Sequence, residues 1–272
     1  MRISDMKEMI EKVVNRAGYV PEIYYVGMGK TASSSLCAGF TPHAMHWHTP
    51  IFVQKMYKTT FLTDNNLDVY DLILAIGKKY KFSPLIVECI REPIKYQTSY
   101  DFQHLKRDRY DGGKMCQCDL CMWKNADKRD VEPLRNIMRK SILKLMDTPN
   151  VPHSCKLWNG HFDLDLLEMF NPEKRFLYKE VDNAKLLFMR YEDTDSRQEV
   201  FSEIGYAYSN VVKNKTKESK NFIGKYYNQI TNNLHKLKLS CDDVDKIYSN
   251  KYVTSFYSNE EINNFKSNFL LK

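Results

Sequence analysis

The sequence predicts an α/β fold, a three-layer arrangement with a central parallel sheet flanked by helices, and three observations predict it. Apolar runs of strand length stand at residues 22–27, 84–90 and 185–190, and such unbroken runs suit strands buried on both faces. Segments with helical apolar spacing separate them, and this alternation calls for parallel strands joined by crossover helices. The first run ends in glycines and passes into small hydroxyl residues, the order strand, tight turn, helix.

The elements follow in order. Met6, Met9, Ile10, Val13 and Val14 recur at helical spacing with Asp5, Glu8 and Glu11 among them, so the chain opens on an amphipathic helix. Residues 22–27 form the first strand, 33–40 a helix, 43–48 a short second strand and 67–80 a helix bearing Val69, Leu72, Ile73 and Ile76. The strand at 84–90 leads into a helix at 94–104. Residues 106–130 are polar, hold Gly112, Gly113 and three cysteines, and show no period, which reads as a long loop or insertion. Helices at 131–146 and ending at 166–170, the strand at 185–190 and a helix to about 204 complete the alternation. From about residue 213 the chain is rich in Lys, Asn and Tyr and reads as mostly helical. One domain spanning 1–272 is expected, a length that one large core can still serve.

Composition bounds the function. Hydrophobic residues make up 43% and charged residues 28%, which is globular usage and excludes disorder as the main state. The net charge of +7 suits a partner that carries phosphate or sulfate but falls short of a nucleic-acid-binding stripe. No apolar run approaches the ~20 residues that cross a bilayer, and the acids of the first helix fit neither a secretory signal nor a transit peptide. Four of the seven cysteines, Cys37, Cys89, Cys155 and Cys241, stand alone in the sequence and read as reduced, in keeping with a cytoplasmic address.

The stretch Gly27-Met-Gly29-Lys30-Thr31-Ala32-Ser33-Ser34-Ser35-Leu36 carries the strongest chemical signal. Free amides in the first turn of a helix face an anion favourably. Lys30 adds a point charge, and Ser33 and Ser34 add hydroxyl donors. Tyr24 stands where a nucleotide triphosphatase loop of the G-x-x-x-x-G-K-[ST] type has its first glycine, so the loop is too short for that class. Glu192-Asp193 keeps a magnesium-dependent kinase or triphosphatase open as an alternative.

This loop resembles that of the sulfotransferase family, Lys-(Ser/Thr)-Gly-Thr-Thr-x-Leu, with Ala32 in place of glycine and Ser33-Ser34 in place of the threonines. Arg91-Glu92-Pro93 after the next strand, with Ser99 eight residues beyond the arginine, resembles the family's 3′-phosphate motif, and an arginine fork with a serine hydroxyl can bracket one phosphate. Tyr191-Glu192-Asp193 resembles its Tyr-Glu-Asp strand end, where the tyrosine lies near the nucleotide. Together with His161-Phe-Asp163 and the closing Tyr248 and 256–262 segments, the chain resembles bacterial capsular polysaccharide synthesis proteins of a sulfotransferase-like group.

The resemblance implies a P-loop NTPase-like fold and transfer of a sulfuryl group from 3′-phosphoadenosine 5′-phosphosulfate (PAPS) to an acceptor hydroxyl, with carbohydrate favoured. It implies a nucleotide site of Gly29, Lys30, Thr31, Ala32, Ser33, Ser34, Arg91, Ser99 and Tyr191. The reaction needs no metal, no nucleic acid and no membrane insertion. Lys30 is the cation for the leaving group. His48 is the first choice for proton acceptor and His46, two residues away on the same strand face, the second; His104 and His161 are reserves. The Lys213–Lys220 group reads as a solvated face. Cys116, Cys118 and Cys121 lack a clear second ligand pair for zinc, and Trp123 and Trp158 suit either a sugar platform or the core. A protein that binds nucleotide or glycan without turnover is the non-enzymatic alternative, to which Ala32 lends weight.

Overall fold

A computed structural model describes residues 3–26, 33–40, 44–47, 69–106, 110–111, 114–115, 118–124, 130–146, 153–210 and 222–269. In chain order the elements are α1 (Ile3–Ala17), β1 (Ile23–Val26), α2 (Ser33–Gly39), β2 (Ala44–Trp47), α3 (Val69–Tyr80), β3 (Leu85–Ile90) and α4 (Pro93–Lys106). There follow β4 (Tyr110–Asp111), β5 (Lys114–Met115), α5 (Asp119–Lys124), α6 (Val131–Leu143), α7 (His153–Phe162) and α8 (Leu166–Met169). The chain ends with β6 (Phe176–Val181), β7 (Ala184–Arg190), α9 (Arg197–Glu203), α10 (Phe222–Thr231), α11 (Cys241–Tyr248), α12 (Lys251–Phe256) and α13 (Asn259–Ser267). Contacts cluster into two compact units, 1–90 with 152–213, and 91–151 with 214–272.

The first unit holds the predicted α/β architecture. Five strands form one sheet in the order β2-β1-β3-β7-β6, parallel except for β6, which pairs antiparallel with β7. Side chains alternate across each strand. Ile23, Tyr25, Leu85, Val87, Cys89, Leu187 and Met189 point into a core closed by Leu36 and Phe40 at α2, Val200 and Phe201 of α9, and Tyr208. On the opposite face α7 sets Trp158 edge-on to Phe188 and donates its Nε1–H to Glu88 at 2.7 Å. There α3 meets α7 through Tyr70, whose ring stacks on His161 at 5.2 Å, and α1 packs on α3. Helices therefore cover both faces of the sheet, as strands this apolar require.

The strand β6 was not expected from the sequence. Its burial follows no apolar run, because Leu177 to Val181 are only half-buried or exposed at the sheet edge. The available signal was the two-residue Asp182-Asn183 link between β6 and β7, a hairpin turn composition.

The second unit is mainly helical. Its α4 joins α6 through a network in which Gln97 donates to Asp101 at 3.0 Å and to Ser141 at 2.8 Å, and the Ser141 hydroxyl donates to Asp101 at 3.2 Å. Phe102 of α4 meets Tyr227 of α10 edge-on. Reciprocal capping boxes, Ser240 with Asp243 and Ser258 with Glu261, start α11 and α13 and answer amides that the first helical turn leaves free. The period-free stretch 106–130 contains the small β4–β5 hairpin and α5; elements of two to six residues are too short to show a period. Among the described residues no helix is long and apolar enough to cross a membrane.

Candidate functional site

Parallel pairing places the carboxyl ends of β2, β1, β3 and β7 side by side at one edge of the sheet. In open α/β sheets this edge is where ligands bind. The chain leaves it at the points where the predicted motifs begin. Gly29, Lys30, Thr31 and Ala32, together with His48, lie outside the described residues. The chain resumes at Ser33 and Ser34, the first two residues of α2, whose backbone amides belong to the unbonded first turn. His46 pairs with Tyr25 one position before the end of β2.

Beyond β7 the main chain is held closely. Tyr191 N–H donates to the Ile90 carbonyl at 2.7 Å, so Tyr191 lies beside the end of β3. The Tyr191 carbonyl accepts from the Thr194 hydroxyl at 3.0 Å and from Arg197 Nη2 at 2.9 Å. The Arg197 guanidinium also lies over the Tyr191 ring, 5.6 Å from its centroid. Asp193, two residues on, has another task. Its carboxylate takes Arg190 in a fork, Nε to Oδ2 at 2.6 Å and Nη2 to Oδ1 at 2.9 Å. The pair is buried, so of the Tyr-Glu-Asp triplet the aspartate serves the fold.

In the second unit, Glu92 occupies the entry of α4. Its carboxylate accepts from the amides of Ile94 and Lys95, both at 2.8 Å, and from the Tyr248 hydroxyl of α11. Pro93 fits the first helical position because it has no amide to satisfy. The chain's own carboxylate thus answers two of the first α4 amides. Arg91 is half-buried and is bonded directly to the last residue of β3. Ser99 is buried in the interior of α4.

Several residues raised by the sequence serve the core. Trp158 is fully buried, and Trp123, also buried, donates to the Asp130 carbonyl at 2.8 Å and meets Tyr226 edge-on; both indoles are packed rather than presented to a ligand. Cys37, Cys89 and Cys241 are free thiols. Burial pushes Cys37 and Cys89 up to about 12. Burial also raises the Tyr208 phenol, and the neighbouring Arg197 charge partly offsets it. Among the described residues no group of three His, Cys, Asp or Glu side chains is placed to hold a metal. The sequence reading missed Arg197, for which the only signal was a basic residue one turn and a half beyond a strand-end tyrosine. No family model, curated protein or solved structure matches the chain.

Proposed function

We propose that the protein is a PAPS-dependent sulfotransferase of P-loop NTPase-like fold that sulfates an acceptor hydroxyl, with carbohydrate the favoured acceptor class. One observation carries the reading. The Gly29–Ser34 loop, Arg91 and Tyr191 follow three adjacent parallel strands, β1, β3 and β7, and leave the sheet at the same edge, in the order in which sulfotransferase motifs occur.

In this reading the 5′-phosphosulfate rests on the Gly29–Ser34 loop, with the Ser33 and Ser34 groups as donors. Arg91 and Ser99 take the 3′-phosphate, and Tyr191 lies against the nucleotide. The acceptor oxygen forms a bond to sulfur as the bond between sulfur and the bridging phosphate oxygen breaks. Lys30 stabilises the charge that develops on that oxygen. The acceptor's proton passes to an imidazole, His48 first and His46 second. The products are a sulfate ester and 3′,5′-adenosine bisphosphate.

A thermal-shift titration tests the reading, because a ligand that binds only the folded state raises its melting temperature. The bisphosphate is expected to raise it, with ATP and magnesium having little effect. The reverse pattern would instead support a kinase and reduce Arg91 and Ser99 to structural residues.

A further inference from the structure

Two arginines seven residues apart bracket the Tyr191 turn, and they are treated in opposite ways. Arg190 is fully buried and held by the Asp193 carboxylate in a two-pronged ion pair. Arg197 is 1% exposed, yet no carboxylate lies within ion-pair distance of it among the described residues, and its Nε makes no hydrogen bond there. Its contacts are the Tyr191 carbonyl, the Tyr191 ring and the neighbourhood of Tyr208 and Cys89. A buried guanidinium without a counter-charge costs the fold stability. Such costs persist where a site makes use of the group.

What Arg197 does hold is Tyr191, and it holds it twice. One contact orders the main chain just beyond the edge of the sheet, and the other orders the ring. Thr194 also bonds the same carbonyl, so the main chain keeps a partner without Arg197.

We propose that Arg197 is a positioning residue of the nucleotide site: it fixes the Tyr191 ring for stacking against the nucleotide and places a buried positive charge behind the edge where the phosphates bind. The inference rests on the sulfotransferase reading. It also predicts an unusual division of effects, because the residue serves the ligand at the expense of the fold.

The test is calorimetric titration of 3′,5′-adenosine bisphosphate into the wild type, Arg197→Met, Tyr191→Leu and the double variant, with melting temperatures of the free proteins. Arg197→Met is expected to melt within about 3 °C of the wild type, since an apolar side chain replaces a buried charge that no described carboxylate pairs. It should bind the bisphosphate roughly tenfold more weakly, the size of one lost cation–π and positioning contact. The double variant should bind no more weakly than Tyr191→Leu, because Arg197 acts through that ring. Wild-type affinity in Arg197→Met, or losses that multiply in the double variant, would overturn the inference while leaving the sulfotransferase reading intact. A wild type that does not bind the bisphosphate overturns both. Should Arg197→Met fail to fold, Arg197→Lys, which keeps the charge but loses the fork, takes its place in the same titration, and unchanged affinity there refutes the positioning role.

Discussion

Replacing Asp193 with alanine should be among the most destabilising single changes in the first unit. The aspartate is 7% exposed and its partner Arg190 0%, with both carboxylate oxygens engaged at 2.6 and 2.9 Å. Arg175 approaches the same carboxylate at 3.7 Å but is 57% exposed, so solvent screens most of its share. Removing one partner of a buried pair costs about 3–5 kcal/mol, because the other charge stays behind in a poor solvent. For a chain of this size that corresponds to a fall in melting temperature of roughly 6–20 °C. Differential scanning calorimetry and the midpoint of urea unfolding measure it, with Glu8→Ala as the control. Glu8 faces Lys12 at 2.6 Å, but both are exposed, and that change should cost less than about 0.5 kcal/mol. The double replacement Arg190→Met with Asp193→Leu should recover most of the loss, since an apolar pair needs no compensation. A cost below about 1 kcal/mol for Asp193→Ala would refute the claim that this ion pair anchors the turn.

Four further outcomes are expected. Lys30→Ala should abolish sulfuryl transfer while leaving the melting temperature within about 2 °C, as a loop lysine contributes little to stability; turnover at the wild-type rate in a radiolabelled-PAPS assay would rule out its role at the bridging oxygen. Gly39→Ala should destabilise by about 1–3 kcal/mol, because a Cβ there would overlap the Tyr208 ring and lie 2.6 Å from the Ser209 carbonyl; urea unfolding reads the loss. Cys37 and Cys89, held near 12, should resist alkylation at pH 8 in the native protein while the exposed Cys118 and Cys241 react, as peptide mapping would show. Since the folded value lies above the ordinary 9.0, their contribution to stability is complete below pH 9 and declines as the pH rises toward about 12. Cys89→Ala should flatten that decline.

How much of this was legible in the sequence depended on where each residue's partner lay. The strands β1, β3 and β7 could be read because both faces of each are buried, which leaves an unbroken apolar run. The edge strand β6 could not, because its outer residues answer to water and the only trace of it is a two-residue turn. The same distinction governs the site. Tyr191 stood out as a residue at a strand end, and the structure puts it at the sheet edge. Nothing local, however, separates a carboxylate that meets a ligand from one that meets its own chain. For Asp193 the deciding partner is Arg190, three residues away and visible in principle. For Glu92 it is Tyr248, 156 residues away, which no spacing argument reaches.

The contrast between Arg190 and Arg197 carries the functional argument further than the motifs do. Both are buried arginines flanking one tyrosine, so composition and spacing rank them equally. Their partners do not. Arg190 has the counter-charge that a structural role demands, and its removal or that of Asp193 should be read in stability. Among the described residues Arg197 meets the Tyr191 carbonyl and ring and the Tyr208 neighbourhood but no carboxylate at ion-pair distance, so its removal should be read in ligand affinity. If the two arginines exchange those signatures, with Arg197→Met unfolding the protein and Asp193→Ala sparing it, then counter-charge is no guide to which residues of this edge belong to the site. The reading of Tyr191 would then have to rest on its position alone.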